Sequence, residues 1–393
     1  LKKVIITDLL ILAVFGSTCF WSVKKDRLTA LVDKILTEQT SEDEEILVLT
    51  SSNLAKKNGQ IEKTQMSENA DKASEENTTK DYIKWVDFTV SKFALTESYE
   101  YDRDTYGTDR HISWIDLLAW TAAHTGGKFG DDRTVCKCME ELEMEAEAGK
   151  KLEELTEDLE YFPYYREVYE TVLGGMVGEY EIEEPDAQGR KVTQKRYGLK
   201  AFHPIAKEFP YTDYDDFGAS RSYGYRREHL GHDMMGQVGT PVVCVESGYV
   251  EALGWNQYGG WRIGIRSFDK KRYYYYAHLR QGFPYQPELK EGSVVLAGDV
   301  IGYMGHTGYS TKEDVNNIDQ THLHVGMQLI FDESQKDSDN EIWIDCYQIM
   351  GFLYRNQSET ARNNETKEWR RIYEMKDPAA EKYERTLDFS MYP

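Results

Sequence analysis

"GSVVLAGDVIGYMGHTG", residues 292–308, decides the fold. Its short apolar and β-branched runs are broken by glycines, placed where tight turns need a positive φ or a close backbone approach. The same rhythm extends outward through "TPVVCVESGYVEAL" (240–253), "WRIGIRS" (261–267), "RYYYYAHL" (272–279) and "HLHVGMQLIF" (322–331). Repeated short strands of this kind predict a mainly β region, an antiparallel domain of sandwich or barrel type over residues 196–356. A short helix is expected within 341–356, "EIWIDCYQIMGFLYRN", and residues 357–393 read as a charged C-terminal tail.

Upstream the texture changes. Residues 177–195, "VGEYEIEEPDAQGRKVTQK", read as a linker or a solvated hairpin. Residues 81–176 place aromatic and apolar side chains at helical spacing, with Gly126 and Gly127 as a stop signal, and predict a helical module whose aromatics form its core. Residues 28–80 are rich in Glu, Ser, Thr, Asn and Lys; they cannot bury enough apolar surface to offset the entropy of ordering, and read as a disordered acidic stalk. Residues 4–23, within a segment 1–27, form an apolar run of membrane-spanning length interrupted by Asp8 and followed by Lys24, Lys25 and Arg27. This predicts a transmembrane signal anchor, with a cleaved signal peptide as the alternative. The expected location is accordingly single-pass at the cell membrane with the rest of the chain extracytoplasmic, or else secreted.

The 393-residue chain carries a formal net charge of −22, which argues against binding nucleic acid through its phosphates. Cys19, Cys136, Cys138, Cys244 and Cys346 are scattered and odd in number, unlike a disulfide-stapled scaffold. The pair Cys136 and Cys138 lacks the second pair of a structural zinc site, and reads as two thiols on a helix or loop edge.

Four of the histidines fall in three places within the predicted β domain. "HLGHD" pairs His229 with Asp233 around Gly231, "YAHL" supplies His278, and "THLHV" supplies His322 and His324. Strand alternation places His322 and His324 on one face. Imidazole and carboxylate are the preferred ligands of a catalytic zinc, which keeps one position open for water. The tyrosines of "RYYYYAHL" alternate across their strand; Tyr276 is the candidate for positioning substrate, and simple strand packing is the alternative. Glu97, Glu100 and Asp102 in the helical module read as a solvated helix face.

In order and context these motifs, with "MGHTGYST" and the upstream "DDFGASR", resemble the lysostaphin-type (LytM-like, duplicated hybrid motif) zinc metallopeptidases of bacterial cell walls. The resemblance covers about residues 196–350; Cys346 stands where that family commonly has a proline. It implies a barrel-sandwich hybrid domain and a Zn²⁺ ion held by His229, Asp233 and His324. His278 and His322 then become the catalytic pair beside the metal. It further implies hydrolysis of peptidoglycan stem peptides or crossbridges, with a membrane attachment through the N-terminal helix and possible protein partners for the helical module. Two other readings remain open, a non-catalytic scaffold or activator of wall enzymes and a zinc peptidase acting on protein.

Overall fold

The computed structural model describes residues 86–390 except 224 and 337–339, within a compact unit running from Tyr82 to Pro393. The segments expected to be an anchor (1–27) and a stalk (28–80) lie outside the described residues. Among the described residues no helix is long and apolar enough to cross a membrane.

The helical module comes first, with α1 (Lys92–Thr105), α2 (Trp114–Thr125), α3 (Asp132–Glu147) and α4 (Phe162–Leu173) as its main elements. Local chemistry sets the ends. The Ser113 side chain accepts from the Asp116 backbone N–H to start α2, and Gly126, at φ 62°, closes it in the left-handed conformation that glycine adopts without steric cost. Helix α2 is the central rod: Leu117, Leu118, Ala119 and Ala122 are fully buried. Burying each such leucine contributes about 1.5–3 kcal/mol.

A hairpin of β1 (Val177–Pro185) and β2 (Lys191–Leu199) follows, so of the two sequence readings of 177–195 the structure has the hairpin and not the linker. The tail is also built into the fold, contrary to the sequence reading. Residues Thr360–Arg362 pair with Trp369–Arg371, Met375–Lys376 adds a third strand beside β1, and α6 (Pro378–Ser390) ends the described chain. Its composition hides this because a few contacts do the anchoring. Met375 is buried, Arg371 donates 2.8 Å to the Ala297 carbonyl, and Lys200 pairs with Asp377 at 2.9 Å.

The β domain centres on an eight-stranded sheet whose main strands are β3 (His232–Met235), β4 (Gly248–Asn256), β5 (Gly260–Ser267), β6 (Arg272–Ala277) and β7 (His322–Leu329). The antiparallel order is Val294–Val295, β4, β5, β6, β7, β3, Thr212–Asp213, with Ile342–Trp343 on the far end of β7. Alternation divides it into two faces. Ile263, Ile265, Tyr274, Tyr276, Leu323, Val325, Met327 and Leu329 are buried in the core with the expected short helix, α5 (Tyr347–Leu353), and the helical module. Arg262, Tyr273, Tyr275, Ala277, His322, His324 and Gln328 line a cleft on the other face.

The module docks on the core side. Tyr99 and Trp114 pack on Phe352 with ring centroids 5.7 and 6.0 Å apart, and Arg272 from β6 donates 2.6 Å to the Thr171 carbonyl in α4. Arg272 is bidentate to Glu246, at 2.7 and 2.9 Å, and the Tyr274 hydroxyl donates 2.7 Å to the same carboxylate. At Gly175 a Cβ would come within 1.7 Å of Glu246 Oε1, so only glycine lets the end of the module approach this buried ion pair.

Candidate metal centre

Neighbouring strands bring the predicted residues together. The register sets Ala277 opposite His324, and His324 opposite Asp233, so β6, β7 and β3 present one row across the sheet. His229 enters from the turn just before β3. The ring of His324 lies where any side chain at Gly231 would stand: a Cβ there would be 2.5 Å from His324 Cε1. Gly231 is therefore required by close approach.

Three donor atoms converge. His229 Nε2 lies 3.0 Å from Asp233 Oδ1 and 3.0 Å from His324 Nδ1, and His324 Nδ1 lies 2.9 Å from Asp233 Oδ1. A tetrahedral zinc with ligands at about 2.0–2.1 Å separates them by about 3.3 Å, so the cluster fits that ion with small adjustments. Among the described residues this is the group whose ligand atoms could hold a metal. The other nitrogen of His229, Nδ1, lies 3.2 Å from the Asp216 carbonyl, which fixes the tautomer that presents Nε2 to the centre. Arg221 pairs with Asp216 and lies 3.3 Å from Asp233 Oδ2. Burial works to raise the Asp233 carboxyl, yet the close imidazoles of His229, His324 and His322 outweigh it and hold the group ionised, well below the usual carboxylate range.

His278 and His322 stand beside this trio, their ring centroids 4.6 Å apart. His278 Nδ1 lies 2.9 Å from the Thr307 carbonyl and His322 Nδ1 lies 2.8 Å from the Gln320 carbonyl. A carbonyl only accepts, so each ring carries its proton on Nδ1 and turns the Nε2 lone pair toward the centre. Burial, with His322 and His324 close by, pushes His278 well below the ordinary histidine value and keeps it neutral.

The five residues expected at the site, His229, Asp233, His278, His322 and His324, all line one cleft of about 680 Å³. Tyr276 does not. It is fully buried in the core, where its hydroxyl accepts 2.9 Å from the Val245 backbone N–H. The reason is backbone strain at His278, whose φ of 60° lies in the left-handed region. That twist breaks the strand alternation after Ala277 and swings His278 into the cleft, so Tyr273 and Tyr275 share its face. Sequence reasoning missed Asp216, Arg221, Arg227 and Arg262. The "FGASR" turn was the available signal for Arg221; nothing in the pattern marks Arg262 apart from its parity with Gly264 and Arg266.

The other histidines are accounted for elsewhere. His232 Nε2 lies 2.9 Å from Asp213, His306 Nδ1 lies 2.8 Å from the Ile318 carbonyl, and His203 Nε2 meets the Tyr211 hydroxyl at 3.0 Å. Cys136 and Cys138 lie in α3, where the Cys136 thiol donates 3.3 Å to Glu140.

The antiparallel sheet thus holds His229, Asp233 and His324 around one point, a candidate metal centre in an open cleft with two further imidazoles. Residues 227–338 match the model of peptidase family M23. An L-Ala–D-Glu endopeptidase of Bacillus subtilis (strain 168) is 40% identical over 124 residues, 32% of this chain and 36% of that protein. Lysostaphin of Staphylococcus simulans is 39% identical over 84 residues, 21% of this chain and 16% of that protein. The chain thus spans about a third or less of the length of these curated relatives. Among solved structures, a Ruminococcus gnavus protein named for glycyl-glycine endopeptidase LytM aligns with a TM-score of 0.43 at 22% identity, over 68% of this chain and 98% of that one. The catalytic domain of Staphylococcus simulans lysostaphin aligns with a TM-score of 0.28 at 29% identity, over 36% of this chain and 92% of that one.

Proposed function

We propose that this chain is a zinc endopeptidase that hydrolyses peptide bonds in the crosslinked stem peptides of bacterial peptidoglycan. The observation that carries the reading is the convergence of His229 Nε2, Asp233 Oδ1 and His324 Nδ1 within 3.0 Å of one another, at the floor of a cleft open to a polymer. Zinc held by these three residues supplies Lewis acidity, lowering the pKa of water and polarising a peptide carbonyl. The residues of the chain do the proton work. His278 and His322 offer Nε2 atoms to the open side; one takes the proton of the attacking water and returns it to the leaving amine, a role that typically contributes 10²- to 10⁴-fold. The carbonyls of Thr307 and Gln320 keep both rings in that tautomer. Asp216 does the same for His229.

The apolar run 4–23 and the acidic stretch to residue 80 support a membrane tether that carries the catalytic head into the wall. Protease accessibility of the head on intact spheroplasts tests that placement. Incubating the chain with purified peptidoglycan, and separating the released muropeptides by mass spectrometry, tests the activity. New amino ends that vanish with a chelator and in His324→Ala are expected; their persistence in both controls would refute the reading.

A further inference from the structure

With 69 acidic and 47 basic residues in the chain, a buried guanidinium readily finds a carboxylate. Arg266 pairs with Glu251 and Glu333, and Arg272 with Glu246 and Asp269. Two arginines of the cleft do not. Among the described residues Arg262 and Arg227 have no carboxylate partner, and Arg262 Nη1 and Arg227 Nε are buried without a hydrogen-bond acceptor. Leaving such donors unmet is costly unless a ligand meets them. Among the other charges of the cleft, Arg221 pairs with Asp216 and Asp233, Lys336 with Glu251 at 2.9 Å, Glu341 accepts from the Trp343 indole at 2.8 Å, and Glu228 lies exposed beside Arg227.

The two arginines sit together and beside the metal centre. Burial raises the Tyr275 hydroxyl, while its Asn256 hydrogen bond and the charges of both Arg262 and Arg227 oppose that rise, which places both guanidinium groups near one phenol. Arg227 is held in place by the rings of Tyr258 and Tyr309, 5.3 and 5.1 Å from its guanidinium, and it donates to the Tyr309 hydroxyl. Arg262 pairs with Gly254 on β4, and the pairing of Tyr276 with Ile263 puts it next to Ala277, which faces His324. At about 4.8 Å per strand, its backbone is roughly 10 Å from that of His324, with only the methyl group of Ala277 between. Further along β7, Gln328 is 2% exposed and its Nε2 also lacks a partner, adding a third unmet donor to the cleft.

We propose that Arg262 and Arg227 form a carboxylate-binding subsite one residue from the reacting centre, so that the substrate is a peptide with a free carboxylate next to the scissile amide rather than an uncharged glycyl bridge. The proposal rests on the peptidase reading above. A guanidinium fork matches a carboxylate in shape as well as charge, and a neutral bridge would leave both guanidinium charges without a carboxylate in the cleft.

The test uses the full chain and three synthetic peptides: a stem peptide containing L-Ala–D-Glu with its free α-carboxylate, the same peptide with that group as a carboxamide, and pentaglycine. Both cleavage and binding by calorimetry are measured. We expect the acid to be preferred over the amide by about ten- to hundredfold in kcat/KM and in Kd, and Arg262→Gln to remove most of that preference by weakening the acid alone. Arg227→Gln, read in the same way, serves if Arg262→Gln does not fold. Cleavage of acid and amide at equal rates, or a loss in Arg262→Gln shared equally by both, would overturn the subsite and leave the peptidase reading standing. Preferential binding of the acid that depends on Arg262, without cleavage of any peptide, would keep the subsite and refute the peptidase reading. Equal binding of acid and amide without cleavage would refute both.

Discussion

Among the buried aspartates that touch histidine in the described residues, Asp102 in the helical module and Asp233 in the β domain put that contact to opposite uses, and only Asp233 joins the candidate metal centre. Asp102 is 1% exposed and saturated: His111 Nε2 at 2.8 Å and the Tyr197 hydroxyl at 2.7 Å meet Oδ1, and the Trp114 N–H at 2.8 Å meets Oδ2. Its partners tie α1, α2 and β2 together, and each of the three donors aimed at it finds a carboxylate oxygen. Around Asp233, by contrast, His229 and His324 direct ring nitrogens at the same carboxylate oxygen and at each other, while His278 and His322 add two more Nε2 atoms from the side. Acceptors pointed at one another repel until a cation stands between them. A histidine beside a carboxylate is thus a stability element when its donors and acceptors match, and a metal centre when they do not.

The contrast breaks first at its metal end. Replacing Asp233 by Ala removes the shared oxygen; zinc content measured on the purified chain should fall to background, together with peptidoglycan release. Replacing His278 or His322 by Ala should leave zinc content unchanged and lower kcat by about 10²- to 10⁴-fold, read by muropeptide release. Loss of zinc in those variants would move them into the ligand set. On the structural side, Glu246→Gln leaves Asp269 to pair with the buried Arg272; denaturant unfolding should report a loss of about 1.5–3 kcal/mol.

Asp102→Asn sharpens the comparison. It should cost about 1–3 kcal/mol by denaturant unfolding, since buried donors lose their acceptor, with zinc content and kcat of the folded fraction unaltered. The smallest effect separates the two tyrosine faces of β6. Tyr276→Phe should lower stability by about 0.5–1.5 kcal/mol through the Val245 hydrogen bond with no change in KM, whereas Tyr275→Phe should shift KM. A KM change in Tyr276→Phe alone would mean the faces are assigned the wrong way round.

How far the sequence could be read follows from where each signal is stored. The turn-and-strand rhythm of 240–331 and the alternation of His322 with His324 are local, and local periodicity made the β domain and the shared face of that pair legible, whereas the ligand set came from the resemblance to the lysostaphin-type peptidases. His278 was legible as a residue but its backbone conformation was not, and assuming unbroken alternation through it put Tyr276 in the cleft instead of Tyr275. Arg262 and Arg227 carry no local mark at all; what singles them out is the absence of an acceptor, which only the three-dimensional arrangement reveals. The tail was hidden for a related reason: Met375, Arg371 and Asp377 find their partners on distant strands, so a charged composition concealed an ordered segment.

The central claim is that the unmatched cluster holds zinc. X-ray absorption at the zinc edge, on the metal-loaded full chain, tests it most directly. The account predicts one zinc per chain with nitrogen and oxygen neighbours at about 2.0–2.1 Å and no sulfur, and loss of that signal in Asp233→Ala. A sulfur shell at about 2.3 Å, or a zinc signal that survives Asp233→Ala intact, would place the ion elsewhere and contradict the account.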